Sequence, residues 1–189
     1  MVVANSAPAC LFSSIEFFIN SIQLQDLSLQ TYPIKHWLET TLSYSKGTKN
    51  TLCACEIYYP EAPGEAKATK ADGENTPSLT KRKKLIAKSK EVFFNMRLAI
   101  DALGTDRFIP PSLVLKWRLI RSRSNYGLIY DPGSPPNTKH YMTKLLSLKL
   151  QVRKIFVQPS IRANYFNTLK SGKDAFLPFK QTKVSQIFL

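Results

Sequence analysis

Acidic residues are scarce in this chain. Asp and Glu number 13 against 27 Lys and Arg over 189 residues, a formal net charge of +14. Paired carboxylates for acid–base chemistry are correspondingly hard to find: Asp101 and Asp106 flank Gly104, and a strand end with turn residues accounts for them. Cysteine is scarcer still. Cys10, Cys53 and Cys55 form an odd set of three, too few for a disulfide framework. A reducing compartment or a virion suits them better than secretion. The close pair Cys53-Ala-Cys55 lacks the second pair that a tetrahedral zinc site requires, and its cysteines read as half-buried strand residues. His36 on a predicted helix and His140 after a Pro-rich loop read as surface imidazoles. The seven glycines include no phosphate-cradling motif, since Gly104, Gly127 and Gly133 stand alone. No Ser lies in G-x-S-x-G and no Cys in a catalytic context. No run reaches the ~20 apolar residues of a membrane span. The stretch from Met1 to Cys10 lacks the basic and apolar regions of a secretory signal. These absences leave no enzyme, no metal, no cofactor and no membrane in the reading, and they argue against secretion.

What is present is unevenly distributed. Residues 1–66 carry three Lys/Arg and six acids, a charge of −3, and the rest of the chain carries +17. Such a field attracts polyanions by counterion release, which makes DNA, bound non-specifically, one candidate partner. At 43% hydrophobic residues the chain can bury a core.

Period-two alternation dominates the pattern. Within 15–29, read as two short strands or one bent strand, it links Ile22 and Leu24 and resumes at Leu27 and Leu29 after a break near Asp26; it also runs through Glu91–Ile100 (Val92, Phe94, Met96, Leu98, Ile100) and Leu113–Ile120 (Leu113, Leu115, Trp117, Leu119). It recurs in Tyr126–Tyr130, closed by a Pro-rich turn at 131–136, and in Leu146–Val157, where a slip of phase predicts a β-bulge. Leu177, Phe179, Val184 and Ile187 suggest a last strand. Two helices interrupt this order. The first, over 31–47, places Ile34, Trp37, Leu38 and Leu42 on one stripe, with Pro33 in its first turn and Gly47 as its stop. The second, over 160–169, stops at Gly172. Residues 60–90 read as an exposed basic loop containing Lys81, Arg82, Lys83 and Lys84. Six or seven strands with two short helices predict an all-β antiparallel sandwich. Its expected divisions are a disordered N-terminus at 1–14, a domain at 15–170, and a tail or a further sheet at 171–189.

Two groups of basic residues are candidate sites. Lys81, Arg82, Lys83 and Lys84 suit a nucleic-acid contact or an import signal, and equally a solvated run. Arg118, Arg121, Arg123, Arg153 and Lys154 suit a polyanion contact or a contact between subunits. Trp117 shares the leucine face and is expected in the core.

Several segments resemble the double jelly-roll major capsid (hexon-like) proteins of Maverick/Polinton elements and adintovirus-like DNA viruses, which also occur as copies in animal genomes. The resembling segments are Phe17-Phe-Ile-Asn-Ser-Ile-Gln-Leu24, Tyr32-Pro-Ile-Lys-His-Trp-Leu-Glu-Thr-Thr-Leu-Ser-Tyr44, Lys81-Arg-Lys-Lys84 with the strand near Phe94, Asp106-Arg-Phe-Ile-Pro-Pro-Ser-Leu113, Leu119-Ile-Arg-Ser-Arg-Ser-Asn-Tyr126 and Leu150-Gln-Val-Arg-Lys-Ile-Phe-Val-Gln-Pro-Ser160. The Tyr-Pro helix is the most telling. Together they span roughly residues 15–185. Asn95-Met-Arg-Leu-Ala-Ile-Asp-Ala-Leu103 stands where the family has a His-Asp-(apolar)-Phe element. The resemblance implies a non-catalytic capsid protein, here a partial copy running from the end of a first jelly roll to the start of a second. It also implies, as partners, copies of itself or full-length capsid protein in a trimer. A basic nucleic-acid-binding protein is the alternative.

Overall fold

A computed structural model describes residues 1–25, 31–72, 75–110, 112–130 and 141–184. The longest strand, β2 (Phe12–Ile19), organises it. Phe12, Ile15 and Phe17 are apolar and fully buried there, which holds β2 at the centre of a three-stranded antiparallel sheet. The hairpin partner β3 (Ile22–Gln25) follows a tight turn at Asn20, whose φ of 55° lies in the left-handed region that Asn tolerates. On the other side, β4 (Leu115–Arg121) pairs from Ile19↔Leu115 to Phe12↔Arg121. Its start is pinned to the hairpin turn: the Asn20 N–H donates to the Val114 carbonyl at 2.7 Å, and the Val114 N–H donates to Asn20 Oδ1 at 3.0 Å. The β2–β4 register shifts between Phe12 and Ser14. That extra residue changes which face the strand buries, so that Ser14 and Ile15 are both covered.

A second ladder is shorter. β1 (Val2–Val3) pairs antiparallel with β5 (Leu128–Ile129). Between these sheets and around them lie α1 (Ala7–Cys10), α2 (Tyr32–Ser43), α3 (Lys46–Asn50), α4 (Pro77–Ile86) and α5 (Pro159–Lys170). The core gathers Ala9, Phe12, Ile15, Phe17, Tyr32, Ala99, Ile100 and Ala102. Trp117, half-buried as its alternation requires, sets its ring 5.3 Å from that of Phe17.

This arrangement overturns the all-β expectation. The structure is a mixed α/β domain, 35% helical and 13% strand, with two small antiparallel sheets in place of a jelly-roll sandwich. The physical reason lies in three segments whose alternation is real but whose backbone finds no strand. Residues 91–100 do turn Val92, Phe94, Met96 and Leu98 inward and Phe93 outward. Their N–H groups, however, are taken by a helical turn and by side chains. Asn95 donates to the Cys55 carbonyl at 3.0 Å, Arg97 to Glu56 Oε1 at 2.9 Å and Ala99 to Tyr32 Oη at 3.5 Å. Residues 146–157 and 177–184 likewise join no ladder, so the expected bulge near 152–155 has no partner strand to interrupt. The predicted turn at 131–136, the alternation expected at Leu27 and Leu29, and Ile187 lie outside the described residues.

Four further expectations are corrected. The N-terminus is ordered, because Val2, Val3 and Ala9 are buried and residues 2–10 supply a strand and a helix. Pro33 does open α2, but the helix ends at Ser43, and Gly47 lies inside α3. More consequentially, α2 buries the opposite face. Tyr32, Lys35, His36 and Thr40 point inward, while Trp37 is 47% and Leu42 78% exposed. Within 60–90, residues 77–86 are helical rather than loop. The second predicted helix does form, as α5, with Gly172 just beyond it at φ 83°.

Candidate functional site

The basic run lies on α4. Pro77 suits its first turn, where no N–H is needed. The free N–H groups there are met by Glu65, which is buried and accepts from Leu79 N–H at 2.8 Å and from Ala62 N–H at 2.9 Å. Burial pushes the Glu65 carboxyl up, but the hydrogen bonds from Ala62, Leu79 and Ser78 outweigh it and hold its pKa below the usual value. A helix turns 100° per residue, so four consecutive cations cannot share a face. Arg82 points inward and is 1% exposed. Its Nη1 donates to the Val3 carbonyl at 2.9 Å, and Nη2 reaches Ser78 Oγ at 3.1 Å and Glu61 Oε1 at 3.4 Å. Burial lowers its pKa, against the opposing pull of Glu61 and Glu65. Arg82 thus joins α4 to β1 and is removed from any surface role. Lys81, Lys83 and Lys84 remain exposed, with Lys81 Nζ 5.8 Å from the centre of the Tyr59 ring.

The second candidate group is divided among elements. Arg118 projects from the outer face of β4, 3.0 Å from Glu16 Oε2, and its guanidinium lies 5.6 Å from the Phe18 ring centre. Lys116, a residue not anticipated from sequence, stands over the same ring at 5.7 Å. Alternation had marked it as outward-facing, but only the β2–β4 register places Phe18 opposite it. Arg121 donates to the Thr143 carbonyl at 3.0 Å, and Arg123 is exposed beyond the strand. Arg153 and Lys154 lie apart, on an exposed excursion of the chain.

That excursion covers residues 146–176 and is anchored at both ends. At its start, Thr143 N–H donates to the Ser124 carbonyl at 2.8 Å and Leu145 packs on the core. At its end, Phe179 packs on the core and Thr182 N–H donates to Asp101 Oδ2 at 2.7 Å. Between these anchors Leu146, Leu148, Leu150, Val152, Ile155, Phe156, Val157 and Ile161 are all exposed, Phe156 to 96%. α5 buries no residue at all. The whole chain exposes 13967 Å², and a compact monomer of 21.4 kDa exposes about 9,100 Å².

Under α2 the inward polar face meets acidic residues of other elements, while His36 Nδ1 is buried with no hydrogen-bond partner. Lys35 Nζ lies 2.5 Å from Asp101 Oδ1. His36 is buried rather than on the surface, with Nε2 3.3 Å from Glu56 Oε2, close enough for an ion pair but not aligned as a hydrogen bond. Nearby, an open hollow of about 560 Å³ is lined by groups of both signs, among them Glu39, Arg97, Asp101 and Arg107. Cys53 and Cys55 fall on a 3-10 turn, not a strand, with Cys53 buried and Cys55 exposed. His140 lies outside the described residues. Among the described residues no group of three or more His, Cys, Asp or Glu is placed to hold a metal ion. No helix among them is long and apolar enough to cross a membrane. No protein-family model, curated protein or solved structure matches the chain.

Proposed function

We propose that this chain is a non-catalytic structural subunit that works by self-association, the class of function that its resemblance to capsid proteins implies. The observation that carries the reading is the excursion 146–176: a long, anchored segment holding its apolar residues in water. A row of exposed leucines lowers its free energy by burial against another chain. Under this reading the chain acts within a virion or in a host nucleus or cytoplasm, and contacts pass through the excursion rather than through stacked β-sandwiches. Sedimentation velocity tests it: the weight-average mass should rise with concentration above the 21.4 kDa of one chain. A monomer at every accessible concentration overturns it.

A second reading, polyanion binding, is favoured by one observation. Lys81, Lys83 and Lys84 stay exposed on α4, and Lys116 with Arg118 over Phe18 form a separate cationic group. DNA affinity should then fall steeply with salt, with a shallower slope after Lys81→Ala, Lys83→Ala and Lys84→Ala together. Arg82 is left intact in that variant, because its loss would disturb the α4–β1 joint. A slope unchanged by the triple substitution rules α4 out as the contact.

A further inference from the structure

We infer that the open edge of β4 is a docking site for an extended peptide that alternates apolar with acidic residues and joins the sheet as a fourth strand. β4 closes the order β3-β2-β4, and among the described residues β2 is its only ladder partner. In an antiparallel ladder, facing residues exchange hydrogen bonds at every second pair. The phase here is fixed at both ends: Asn20 N–H donates to the Val114 carbonyl at 2.7 Å, and Ser122 N–H donates to the Leu11 carbonyl at 2.9 Å. Counting by twos between them, Lys116, Arg118 and Ile120 bond to β2, while Leu115, Trp117 and Leu119 turn their N–H and C=O groups away from it. No hydrogen bond from another described residue reaches those outward groups. They repeat at about 7 Å, a spacing that another extended backbone matches.

Side chains along the edge specify the occupant. β2 shows the pattern that a neighbour of β4 takes. On the outer face Glu16 lies opposite Arg118, Oε2 to Nη1 3.0 Å, and on the inner face Phe17 lies opposite Trp117, with ring centres 5.3 Å apart. Lys116 is exposed, and no described carboxylate pairs with it. A strand on the open side therefore meets Lys116 and Arg118 on the outer face, and half-buried Leu115, Trp117 and Leu119 on the inner one. Carboxylates suit the first row and apolar side chains the second. Antiparallel addition continues the pairing of the existing sheet. A second β4 is the poorer occupant. Antiparallel pairing centred on Trp117 sets Lys116 against the other copy's Arg118, and pairing centred on Arg118 sets that residue against itself. Like charges directly opposite destabilise a strand pair.

The test is amide hydrogen exchange, read by NMR on the full chain kept dilute, so it stands apart from the self-association proposed above. The probe is a capped peptide of β4's own length, seven residues, alternating valine with glutamate. In the free chain the amides of Lys116, Arg118 and Ile120 should exchange slowly and those of Leu115, Trp117 and Leu119 fast. Saturating peptide should slow the second set by about tenfold or more. The same peptide N-methylated at its valines, whose N–H groups face β4 in this register, should give no protection. Lys116→Glu, at an exposed position, should weaken binding of the valine–glutamate peptide by about tenfold and leave the circular dichroism spectrum unchanged. On the wild-type chain a valine–lysine peptide should bind about tenfold more weakly or worse. Slow exchange of Leu115, Trp117 and Leu119 in the dilute free chain overturns the inference, and so does peptide binding without their protection. Equal affinity for the two peptides, or no binding at about 1 mM peptide, also overturns it. Protection of these amides that appears only as chain concentration rises gives the edge to a second copy and overturns the acidic partner.

Discussion

Single residues in this protein are constrained by backbone approach as much as by burial. Gly127 has φ 82°, and a Cβ there would lie 2.7 Å from Cys10 Cβ. Gly127→Ala therefore suffers twice, from the left-handed backbone and from a clash with a side chain that cannot retreat. We expect a loss of about 1–3 kcal/mol, read as a lower denaturation midpoint at unchanged slope. An unchanged midpoint would show that this joint, where Ala4 N–H donates to the Gly127 carbonyl at 2.7 Å, yields freely. Burial also pushes the Cys10 thiol up to about 11, so at neutral pH it should alkylate far more slowly than exposed Cys55. Arg82 shows what sequence conceals at this scale. The run Lys81–Lys84 was legible as a basic cluster, but helical rotation, visible only once α4 forms, divides it into three solvated lysines and one buried arginine.

At the scale of elements, α4 depends on a cap that lies twelve residues ahead of its first turn. Glu65 serves its free N–H groups as a carboxylate, so its pKa is held below the unfolded value. The stabilisation is therefore complete above the unfolded carboxylate pKa and disappears as pH falls through the lower folded one. Glu65→Gln should reduce thermal stability at neutral pH and narrow the gap to wild type on acidification. A gap that persists at low pH would mean the carboxylate charge contributes nothing. Element type was legible where local signals agreed. β4 follows its periodicity, α5 ends just before Gly172, and α2 opens with Pro33 in its first turn. The inward face of α2 was not legible. Apolar count favoured Trp37, Leu38 and Leu42, whereas Tyr32, Lys35, His36 and Thr40 share an equally regular helical stripe that long-range partners, Asp101 and Glu56, make habitable.

For the molecule as a whole, residues 146–176 stand out because their large apolar side chains are exposed and α5 within them buries no residue. Backbone that is exposed and outside any helix or ladder is open to proteases, so limited trypsin digestion of the dilute chain should cut first at Arg153 or Lys154. Mass spectrometry of the early fragments checks this. First cleavage within α4, at Lys83 or Lys84, would contradict it. At concentrations where copies associate, cleavage within the excursion should slow.

Composition and spacing by themselves determined the charge asymmetry, the faces of β4 and of residues 91–100, and the existence of α2 and α5. These follow from local sterics and from the period of the apolar residues. Which extended segments become paired strands was decided only in three dimensions, because a ladder needs a second backbone at the right distance. Residues 91–100 met a helical turn and side chains instead, and residues 146–157 met water. Alternation reports that a chain is extended and two-faced; the identity of its neighbour belongs to the tertiary structure.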